Sequence, residues 1–251
     1  MIPITLGSVA VILPAAGGGQ RFGRGSNKLL VSLVGKPLWT FAAETLLRRP
    51  EVGVVMLAIA QADRDRFEDQ LAYLTSPDRI RFVIGGEQRS DTVAAAIAAI
   101  DSPAIQWVAI HDAARPLLRD DDITAVFDAA AIGGAAILAS PITGTLKREP
   151  IPGGEDRGCQ TVDRRNMYQA LTPQVFHLDL IRQAYARHRG RPATDDAELV
   201  ERIGHPVRIV PGSADNLKIT YPEDLRLAEA LMLIAATQTS SHEPPRTSQQ
   251  P

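Results

Sequence analysis

Short apolar runs alternate with amphipathic helical patterns as far as Ser140. The runs that predict strands are Val9–Leu13, Val54–Ile59, Ile80–Ile84, Trp107–Ile110 and Ala135–Ala139. Between them, apolar residues three and four apart predict helices over Pro37–Leu47, Gln61–Tyr73, Ser90–Ile100 and Asp121–Ala131. Repeated strand–helix alternation predicts an α/β fold with three layers, in which a mainly parallel twisted sheet carries helices on both faces. Such sheets bind ligands at the carboxyl ends of their strands.

The alternation stops after Ser140. Residues 143–165 are polar, contain four glycines and show no helical period, and long segments of this kind are usually functional or disordered. A returning strand beginning at Val162 would make this segment a projecting β-arm, at about residues 143–166. Beyond the arm, the pattern predicts helices at Leu178–Arg187, Asp195–Ile203 and Pro222–Ala235, and short strands at Val207–Val210 and Leu217–Ile219.

The composition changes after Ala236 to Thr, Ser, Gln and Pro. This change predicts a single folded domain over residues 1–236 and a disordered tail over residues 237–251. A linker to a further domain is the alternative interpretation of the tail.

Overall composition restricts the class of protein. With 251 residues, 45% of them hydrophobic, the chain can build a substantial core. A formal net charge of −2 argues against a general nucleic-acid or acidic-membrane surface, so neither partner is expected. Cys159 is the single cysteine, which excludes an intrachain disulfide and a cysteine zinc cluster and favours a cytoplasmic location. The N-terminus lacks the basic region of a secretory signal, and the apolar run 129–139 is too short to span a bilayer.

A glycine-rich loop follows the first predicted strand. Gly17, Gly18 and Gly19 allow close backbone approach, and successive N–H groups can form a concavity for an anion such as phosphate. No acidic residue precedes Glu44, so the local charge is positive; the basic residues of this region are Arg21, Arg24, Lys28 and Lys36. The alternative is a plain strand-connecting turn.

Two well-known phosphate loops do not fit this stretch. A dinucleotide fingerprint requires its third glycine where Phe22 stands, and a P-loop requires Lys-Ser/Thr where Arg24 and Gly25 stand. The loop is therefore of another kind.

The run Pro-Ala-Ala-Gly from Pro14, the glycine-rich turn, Arg21, Lys28 and then Gly-Lys-Pro from Gly35 resembles nucleotidyltransferases that join a nucleoside triphosphate to a sugar phosphate. Among these it is most similar to the 2-C-methyl-D-erythritol 4-phosphate cytidylyltransferase family. That family usually has Pro-Lys-Gln where this chain has Asn27, Lys28 and Leu29. The lysine is kept and its neighbours differ.

The stretch from Gly85 to Val93 closes the third strand and opens a helix. It resembles the part of the family that recognises the cytosine nucleotide, with Gly86, Glu87 and Thr92 at nucleotide-contacting positions. The family commonly has Ser at the position of Thr92 and often Asp at that of Glu87. Ordinary helix capping by Ser90 or Asp91 is the alternative explanation.

The sequence His-Asp-Ala-Ala-Arg-Pro begins at His111 and is highly specific to the family. Asp112 lies at the carboxyl end of a buried strand, where a charge needs a partner, and Arg115 is the obvious candidate. A purely structural pair is one interpretation; the other is that Asp112 holds a substrate hydroxyl or the metal shell. We expect His111 to be structural, since neighbours along a strand point to opposite faces.

Further matches follow the fourth helix. Pro141 to Lys147 matches the family's arm entrance and includes Thr145, but Gly144 replaces the usual Asp. Arg164 lies in the matching arm exit, and Thr172 in the segment near the partner's substrate phosphate; isolated arginines are otherwise solvated charges.

Two later motifs complete the resemblance. Helix capping explains most of the Thr-Asp-Asp-Ala-Glu run that starts at Thr194. Lys218, predicted to lie at a strand edge, matches the family's second catalytic lysine.

The resemblance covers Val9 to about Ala235 and implies a Rossmann-like nucleotidyltransferase fold with a projecting β-arm. It implies transfer of a cytidylyl group from CTP to 2-C-methyl-D-erythritol 4-phosphate, with Mg²⁺ bound mainly through the CTP phosphates and no metal site built from protein alone. The implied partners are CTP and a polyol phosphate, in a homodimer with exchanged arms. The alternatives are a cytidylyltransferase for another polyol phosphate such as ribitol 5-phosphate, a non-catalytic sugar-nucleotide-binding protein, and an oxidoreductase with a dinucleotide fold.

The resemblance also assigns expected roles to individual residues. The expected catalytic residues are Arg21, Lys28 and Lys218. The expected nucleotide-binding residues are Pro14, Ala15, Ala16, Gly17, Gly18, Gly19, Gly86, Glu87 and Thr92. The expected substrate-binding residues are Asp112, Arg115, Thr145, Arg164 and Thr172.

Overall fold

The protein is described by a computed structural model that covers residues 2–17, 22, 27–149, 158–188 and 190–240. In chain order the strands are β1 (Val9–Pro14), β2 (Ser32–Leu33), β3 (Lys36–Pro37), β4 (Val52–Ile59), β5 (Ile80–Ile84), β6 (Trp107–Ile110), β7 (Ala135–Pro141), β8 (Leu146–Arg148), β9 (Gln160–Val162), β10 (Tyr168–His177) and β11 (Arg208–Pro211). The α-helices are α1 (Leu38–Leu47), α2 (Arg64–Asp69), α3 (Arg89–Ala98), α4 (Asp120–Gly133), α5 (Leu178–Arg187), α6 (Asp196–Arg202) and α7 (Pro222–Ser240).

Seven strands form the central sheet in the order β11-β7-β10-β6-β1-β4-β5. All neighbouring pairs are parallel except those of β10, which runs antiparallel to both β6 and β7. The α/β fold with a mainly parallel sheet, predicted from the alternating pattern, is confirmed.

The central strand β1 is buried on both faces, which explains its unbroken apolar sequence. Val9, Val11 and Leu13 belong to one core cluster, with residues of α1, α4 and α7, while Ala10 and Ile12 belong to a second cluster, with residues of α3, α5 and α6. Because strand side chains alternate between faces, these two clusters are the two sides of the sheet. Helices therefore cover both faces, and the three-layer prediction is confirmed.

Strand β10 was not predicted from the sequence. It pairs with β7 through a register shift between Ala170 and Gln174. The shift lies at Thr172 and Pro173, where polar side chains and a residue without an N–H interrupt the apolar alternation that reveals a strand. The single antiparallel member of the sheet is thus the one with the weakest sequence signal.

Two predicted elements differ from the structure. Residues 217–219 do not form a strand: the N–H of Ile219 donates to the carbonyl of Ala114 at 2.9 Å, and its carbonyl accepts from Lys28, so these groups are not available to a sheet. The predicted helix over 61–73 is divided into a 3-10 turn, the short helix α2 and a second 3-10 turn. The second turn is anchored by Gln70, whose side chain accepts from Trp39 Nε1 at 2.7 Å.

The predicted arm contains a β-hairpin that is separate from the central sheet. Strands β8 and β9 are antiparallel, with Leu146 opposite Val162 and Arg148 opposite Gln160. The returning strand ends at Val162, where it was predicted to begin. Residues 150–157, between the two strands, lie outside the described residues.

Helix α7 extends beyond its predicted end at Ala235 to Ser240. Residues 237–240, which were assigned to a disordered tail, are therefore helical; the sequence offers no helix-breaking proline before Pro244. Residues 241–251 lie outside the described residues. Among the helices described here, none has the length and apolar character needed to cross a bilayer.

Candidate active site

A cavity of about 420 Å³ lies at the carboxyl ends of β1, β5 and β6. Its walls come from the loop after β1, the turn that carries Lys28, the β5–α3 loop, the loop after β6 and the connection 215–220. The predicted site residues that line it are Pro14, Ala15, Ala16, Gly17, Lys28, Gly86, Glu87, Thr92, Asp112 and Lys218. Five segments far apart in sequence thus meet at the edge of the sheet where a ligand was expected.

The other predicted residues fall into three groups. Gly18, Gly19 and Arg21 lie outside the described residues. Arg115 and Thr172 line a second cavity, of about 250 Å³. Thr145 and Arg164 lie in the exposed arm, and no described residue that lines either cavity comes from residues 143–166.

Gly85 allows the loop after β1 to pack against the start of α3. A Cβ at this position would lie 2.7 Å from Cβ of Ala16 and 2.8 Å from Cγ2 of Thr92, much closer than carbon atoms approach. The N–H of Gly85 donates to the carbonyl of Ile59 at 2.8 Å, which fixes it to the end of β4. The glycine therefore brings together two segments that were both predicted to bind the nucleotide.

The N-terminus of α3 opens into the first cavity. Gln88 is its N-cap and forms a capping box with Asp91, so the alternative explanation of this motif by capping is correct in part. Thr92 is 2% exposed, and its hydroxyl donates to the carbonyl of Gln88 at 3.0 Å. Gln88 and Asp91 therefore cap the helix while Thr92 lines the cavity. The helix dipole favours an anion at this end.

Lys28 reaches the connection 215–220 from the opposite side of the cavity. Its Nζ donates to the carbonyl of Ile219 at 2.6 Å. Lys218, the preceding residue in that connection, extends its side chain to Asp112, with Nζ 3.0 Å from Oδ2. The two lysines expected to be catalytic are thus held at one wall.

Asp112 is 9% exposed and lies among three cations. Lys218 Nζ and Arg115 Nε are 3.0 Å and 3.2 Å from its Oδ2, and Arg89 Nε is 3.7 Å from its Oδ1. Burial alone would raise the pKa of Asp112, but the charges of Lys218, Arg89 and Arg115 outweigh it and hold the pKa far below its usual value. The predicted pairing with Arg115 is confirmed, but it is one contact of several.

Arg89 was missed by the sequence analysis. Besides its contact with Asp112, its Nη1 lies 2.8 Å from Oδ2 of Asp196, which is 1% exposed and accepts a hydrogen bond of 2.5 Å from the hydroxyl of Tyr185. Burial opposes the charged form of Arg89, but the two carboxylates raise its pKa. In the sequence both Arg89 and Asp196 look like residues of exposed first turns. The fold brings the starts of α3 and α6 together, so that the partly exposed Arg89 pairs with the buried Asp196.

The second cavity shares a wall with the first. Arg89, Asp112 and Lys218 line both. On its other sides the second cavity is bounded by Arg115, Thr172 and neighbouring residues of β10 and of the segment before α6. Two adjacent cavities that share the cations Arg89 and Lys218 can hold two anionic ligands side by side.

His111 and Thr172 form hydrogen bonds with the backbone of the loop that carries Asp112 and Arg115. The hydroxyl of Thr172 accepts from the N–H of Asp112 at 3.1 Å and lies 3.1 Å from Nδ1 of His111, while Nε2 of His111 lies 3.2 Å from the carbonyl of Arg115. Because that carbonyl can only accept, the neutral ring carries its proton on Nε2. Burial lowers the pKa of His111 to about 4, against the opposing effect of its hydrogen bond to Arg115.

The predicted helix cap before α6 is present. Asp195 accepts from the N–H of Glu198 at 2.9 Å, and Glu198 reaches back to the N–H of Thr194 at 2.7 Å. Gln174 accepts from the N–H groups of Asp196 and Ala197 at 3.2 Å and 3.0 Å, so the start of α6 is also tied to β10. These bonds fix the position of the acid that holds Arg89.

The chain is similar to cytidylyltransferases along nearly all of its folded length. A family model described as 2-C-methyl-D-erythritol 4-phosphate cytidylyltransferase matches residues 9–233. A protein of that name from Rhodopirellula baltica is 54% identical over 235 residues, covering 90% of this chain and 95% of that protein.

Solved structures show the same similarity. The 2-C-methyl-D-erythritol 4-phosphate cytidylyltransferase of Thermus thermophilus is 35% identical, with a TM-score of 0.68, and the match covers 89% of this chain and 98% of that one. The 4-diphosphocytidyl-2C-methyl-D-erythritol synthase of Anaerococcus prevotii is 27% identical, with a TM-score of 0.77 and coverage of 90% and 98%. From this fold, these motifs and these similarities, the chain belongs to the 2-C-methyl-D-erythritol 4-phosphate cytidylyltransferase family.

Proposed function

We propose that the protein transfers a cytidylyl group from CTP to 2-C-methyl-D-erythritol 4-phosphate, giving 4-diphosphocytidyl-2-C-methyl-D-erythritol and pyrophosphate in non-mevalonate isoprenoid biosynthesis. The observation that carries the proposal is the shared wall of Arg89, Asp112 and Lys218 between the two cavities. A transfer between two phosphates requires two anion sites in contact, and family membership supplies the identity of the two substrates.

CTP occupies the larger cavity in this account. The triphosphate lies against Gly17 in the loop after β1 and against Lys28, which line the cavity. The family resemblance assigns Gly18, Gly19 and Arg21, which lie outside the described residues, to the same phosphates. The cytosine lies towards Gly86, Glu87 and Thr92. This orientation directs the α-phosphate to the shared wall.

The polyol phosphate occupies the smaller cavity, between Arg115 and the segment around Thr172. A non-bridging oxygen of its phosphate attacks the α-phosphorus of CTP in line, a new P–O bond forms, and the bond to the β-phosphate oxygen breaks to release pyrophosphate. Such transfers need positioning and charge stabilisation more than covalent help from the protein. Arg21, Lys28 and Lys218 meet the charge that develops in the transition state.

Asp112 orients the cationic side chains of Lys218 and Arg115 at the shared wall. Its carboxylate pairs with Lys218 at 3.0 Å and with Arg115 at 3.2 Å, so two cations that face the substrates are held in fixed directions. On binding, a hydroxyl of the polyol or of the ribose can donate to the same carboxylate. Because the lowered pKa keeps Asp112 ionised at neutral pH, it accepts hydrogen bonds and does not act as a general acid.

Mg²⁺ is the expected cofactor. Within the described residues, no group of three or more His, Cys, Asp or Glu side chains is placed to hold a metal ion, and the carboxylate of Asp112 already faces three cations. These observations fit an ion held mainly by the CTP phosphates and retained waters. Bound in this way, Mg²⁺ would neutralise part of the triphosphate charge. Removal of Mg²⁺ by a chelator should abolish activity, whereas Cys159→Ser, at an exposed thiol, should leave it unchanged.

The arm completes the site of a second subunit in this account. Thr145 and Arg164 are exposed in the single chain, and the described residues that line its two cavities include none from the arm. A homodimer with exchanged arms would place them at the partner's smaller cavity. The cytoplasmic location inferred from composition stays a prediction.

The direct test of substrate choice is pyrophosphate release from CTP with several polyol phosphates offered in turn. We expect release with 2-C-methyl-D-erythritol 4-phosphate at a kcat/KM at least about 100-fold above that with ribitol 5-phosphate. A preference for ribitol 5-phosphate would identify a different cytidylyltransferase. CTP binding without release with any acceptor would identify a non-catalytic binding protein.

A further inference from the structure

Asn27 is a buried polar residue that directly precedes Lys28. It is 5% exposed, and its side-chain amide makes three hydrogen bonds. Oδ1 accepts from the N–H of Leu29 at 3.1 Å, while Nδ2 donates to the carbonyl of Ala15 at 3.2 Å and to Oδ2 of Asp63 at 3.0 Å. Both amide hydrogens and the amide oxygen are therefore used inside the protein.

These bonds join two segments that line the first cavity to the 3-10 turn after β4. Ala15 belongs to the loop after β1, and Leu29 to the 3-10 turn Lys28–Leu30, of which Asn27 is the N-cap. Asp63 ends the 3-10 turn that follows β4, and Arg66 Nη1 donates to its other oxygen at 3.3 Å. Lys28 lies between Asn27, which is bonded to Ala15, and Leu29, whose N–H is bonded to the Asn27 side chain. These bonds therefore fix the backbone of Lys28.

We propose that Asn27 is a positioning residue for cytidylyl transfer, which holds the backbone of Lys28 against the phosphate-binding loop, and that Asp63 keeps the Asn27 amide in its working orientation. The inference rests on the proposed function, in which Lys28 meets developing charge. A lysine side chain is flexible, so the reach of Nζ to the carbonyl of Ile219 at 2.6 Å depends on where its backbone is held.

The orientation of the amide follows from its partners. The carbonyl of Ala15 and the carboxylate of Asp63 are acceptors, whereas the N–H of Leu29 is a donor. A flipped amide would oppose acceptor to acceptor twice and donor to donor once. Aspartate at position 27 can still cap Leu29, but its second oxygen would face the other two acceptors.

The backbone at Asn27 shows what the side chain adds. Its φ of −67° is the value to which proline is restricted, so a proline could adopt the same backbone at this position. Proline fixes the direction of the chain but offers no polar atoms. Asn27 holds the backbone in this conformation by hydrogen bonds of its side chain. Its partner Asp63 therefore contributes to positioning Lys28 in this chain.

The test compares Asn27→Asp, Asp63→Asn and the double variant with Thr40→Val. Thr40, in α1, is a matched control, since it is 2% exposed, its hydroxyl donates to the carbonyl of Pro37, and it lines neither cavity. We expect Asn27→Asp to lower kcat by about tenfold or more while the KM for CTP changes by less than about threefold. In the double variant the amide introduced at position 63 can donate to the carboxylate introduced at position 27, and kcat should recover by at least about threefold.

Two results would overturn the proposal: a kcat of Asn27→Asp equal to that of Thr40→Val, or a double variant no faster than Asn27→Asp. Should Asn27→Asp fail to fold, Asp63→Ala takes its place. This variant removes the carboxylate that accepts from Nδ2 of Asn27, and the Asp63 side chain is 20% exposed. A kcat equal to that of Thr40→Val would again contradict the proposal.

A measurement without substrates separates this proposal from the proposed function. In Asn27→Ala the N–H of Leu29 loses its acceptor, so its amide exchange should become about tenfold faster or more. Unchanged exchange overturns the positioning role whatever the enzyme catalyses. Absence of pyrophosphate release by the wild-type protein with every polyol phosphate contradicts the proposed function instead.

Discussion

Lys28 Nζ donates a hydrogen bond of 2.6 Å to the carbonyl of Ile219, a residue 191 positions away in the chain. The neighbouring Lys218 contacts Asp112 at 3.0 Å. The connection 215–220 is itself held in place, because Asn216 is fully buried and its side chain donates to the carbonyl of Thr172 at 2.8 Å. The positions of the two lysines are therefore set by one network.

Lys28→Ala should lower turnover far more than CTP affinity. Lys28 meets charge that grows in the transition state, so its loss affects kcat more than ground-state binding. We expect kcat to fall about 100-fold or more, measured with saturating substrates beside the Kd for CTP from calorimetry. Lys36→Ala, at an exposed lysine in β3, serves as the control. An equal loss of CTP binding, with unchanged turnover of bound substrate, would remove Lys28 from the catalytic set.

Gly85→Ala should weaken CTP binding. The added methyl would lie within 2.8 Å of both Ala16 and Thr92, so the phosphate-binding loop and α3 must move apart. We expect the KM for CTP to rise about tenfold or more. Gly158→Ala, in the arm that is assigned to the polyol-phosphate cavity, is the control for CTP binding, because among the described residues no atom beyond its chain neighbours lies within 4 Å of the added Cβ. Equal KM values for the two variants would show that this close approach is not needed.

The stability of the protein should fall as the pH is lowered from about 6.5 towards 4, in part because of His111. Its pKa is about 4 in the folded state and about 6.5 when unfolded, so between these values the unfolded state binds one more proton. This group alone then reduces the free energy of unfolding by about 1.4 kcal/mol for each unit of decreasing pH. In His111→Gln the slope of urea-unfolding free energy against pH should be smaller by about one proton. An identical slope in both proteins would contradict the buried, neutral histidine.

The exchanged arm predicts complementation between inactive variants. Lys28→Ala and Arg164→Ala homodimers should each be nearly inactive, and they are then mixed under conditions that let subunits exchange. If Arg164 acts on the partner's site, one site of each heterodimer carries both changes and the other carries neither. Random exchange should then restore roughly a quarter of the wild-type sites. Subunit exchange demonstrated by mass spectrometry, without recovery of activity, would rule out a shared site.

Much of the fold was accessible from the sequence because its signals are local. The predicted bounds of β5 and β6 agree with the structure. The strand β6 is buried and is a continuous apolar run, whereas β5 is an edge strand whose apolar run is interrupted by Arg81. Strand β10 was missed because polar residues and Pro173 interrupt its apolar pattern. The run 217–219 has the apolar composition of a strand, but its backbone groups bond to Ala114 and Lys28, which composition cannot reveal.

The candidate site was accessible only in part. Glycine loops and the motif around Asp112 can be identified from sequence, because close backbone approach and a charge at a strand end require those residue types. The ion pair between Arg89 and Asp196 depends on the starts of α3 and α6 meeting, although they lie more than a hundred residues apart in the chain. The role of Asn27 is likewise visible only when Ala15 and Asp63 are seen beside it.

In the proposed reaction, a phosphate oxygen of 2-C-methyl-D-erythritol 4-phosphate attacks the α-phosphorus of CTP. The most direct measurement uses this substrate with ¹⁸O in the non-bridging oxygens of its phosphate and follows the products by ³¹P NMR and mass spectrometry. We expect all of the label to appear in 4-diphosphocytidyl-2-C-methyl-D-erythritol, including the new bridging position, with an equal amount of unlabelled pyrophosphate. Labelled pyrophosphate, or pyrophosphate release that does not depend on the polyol phosphate, would contradict the proposed reaction.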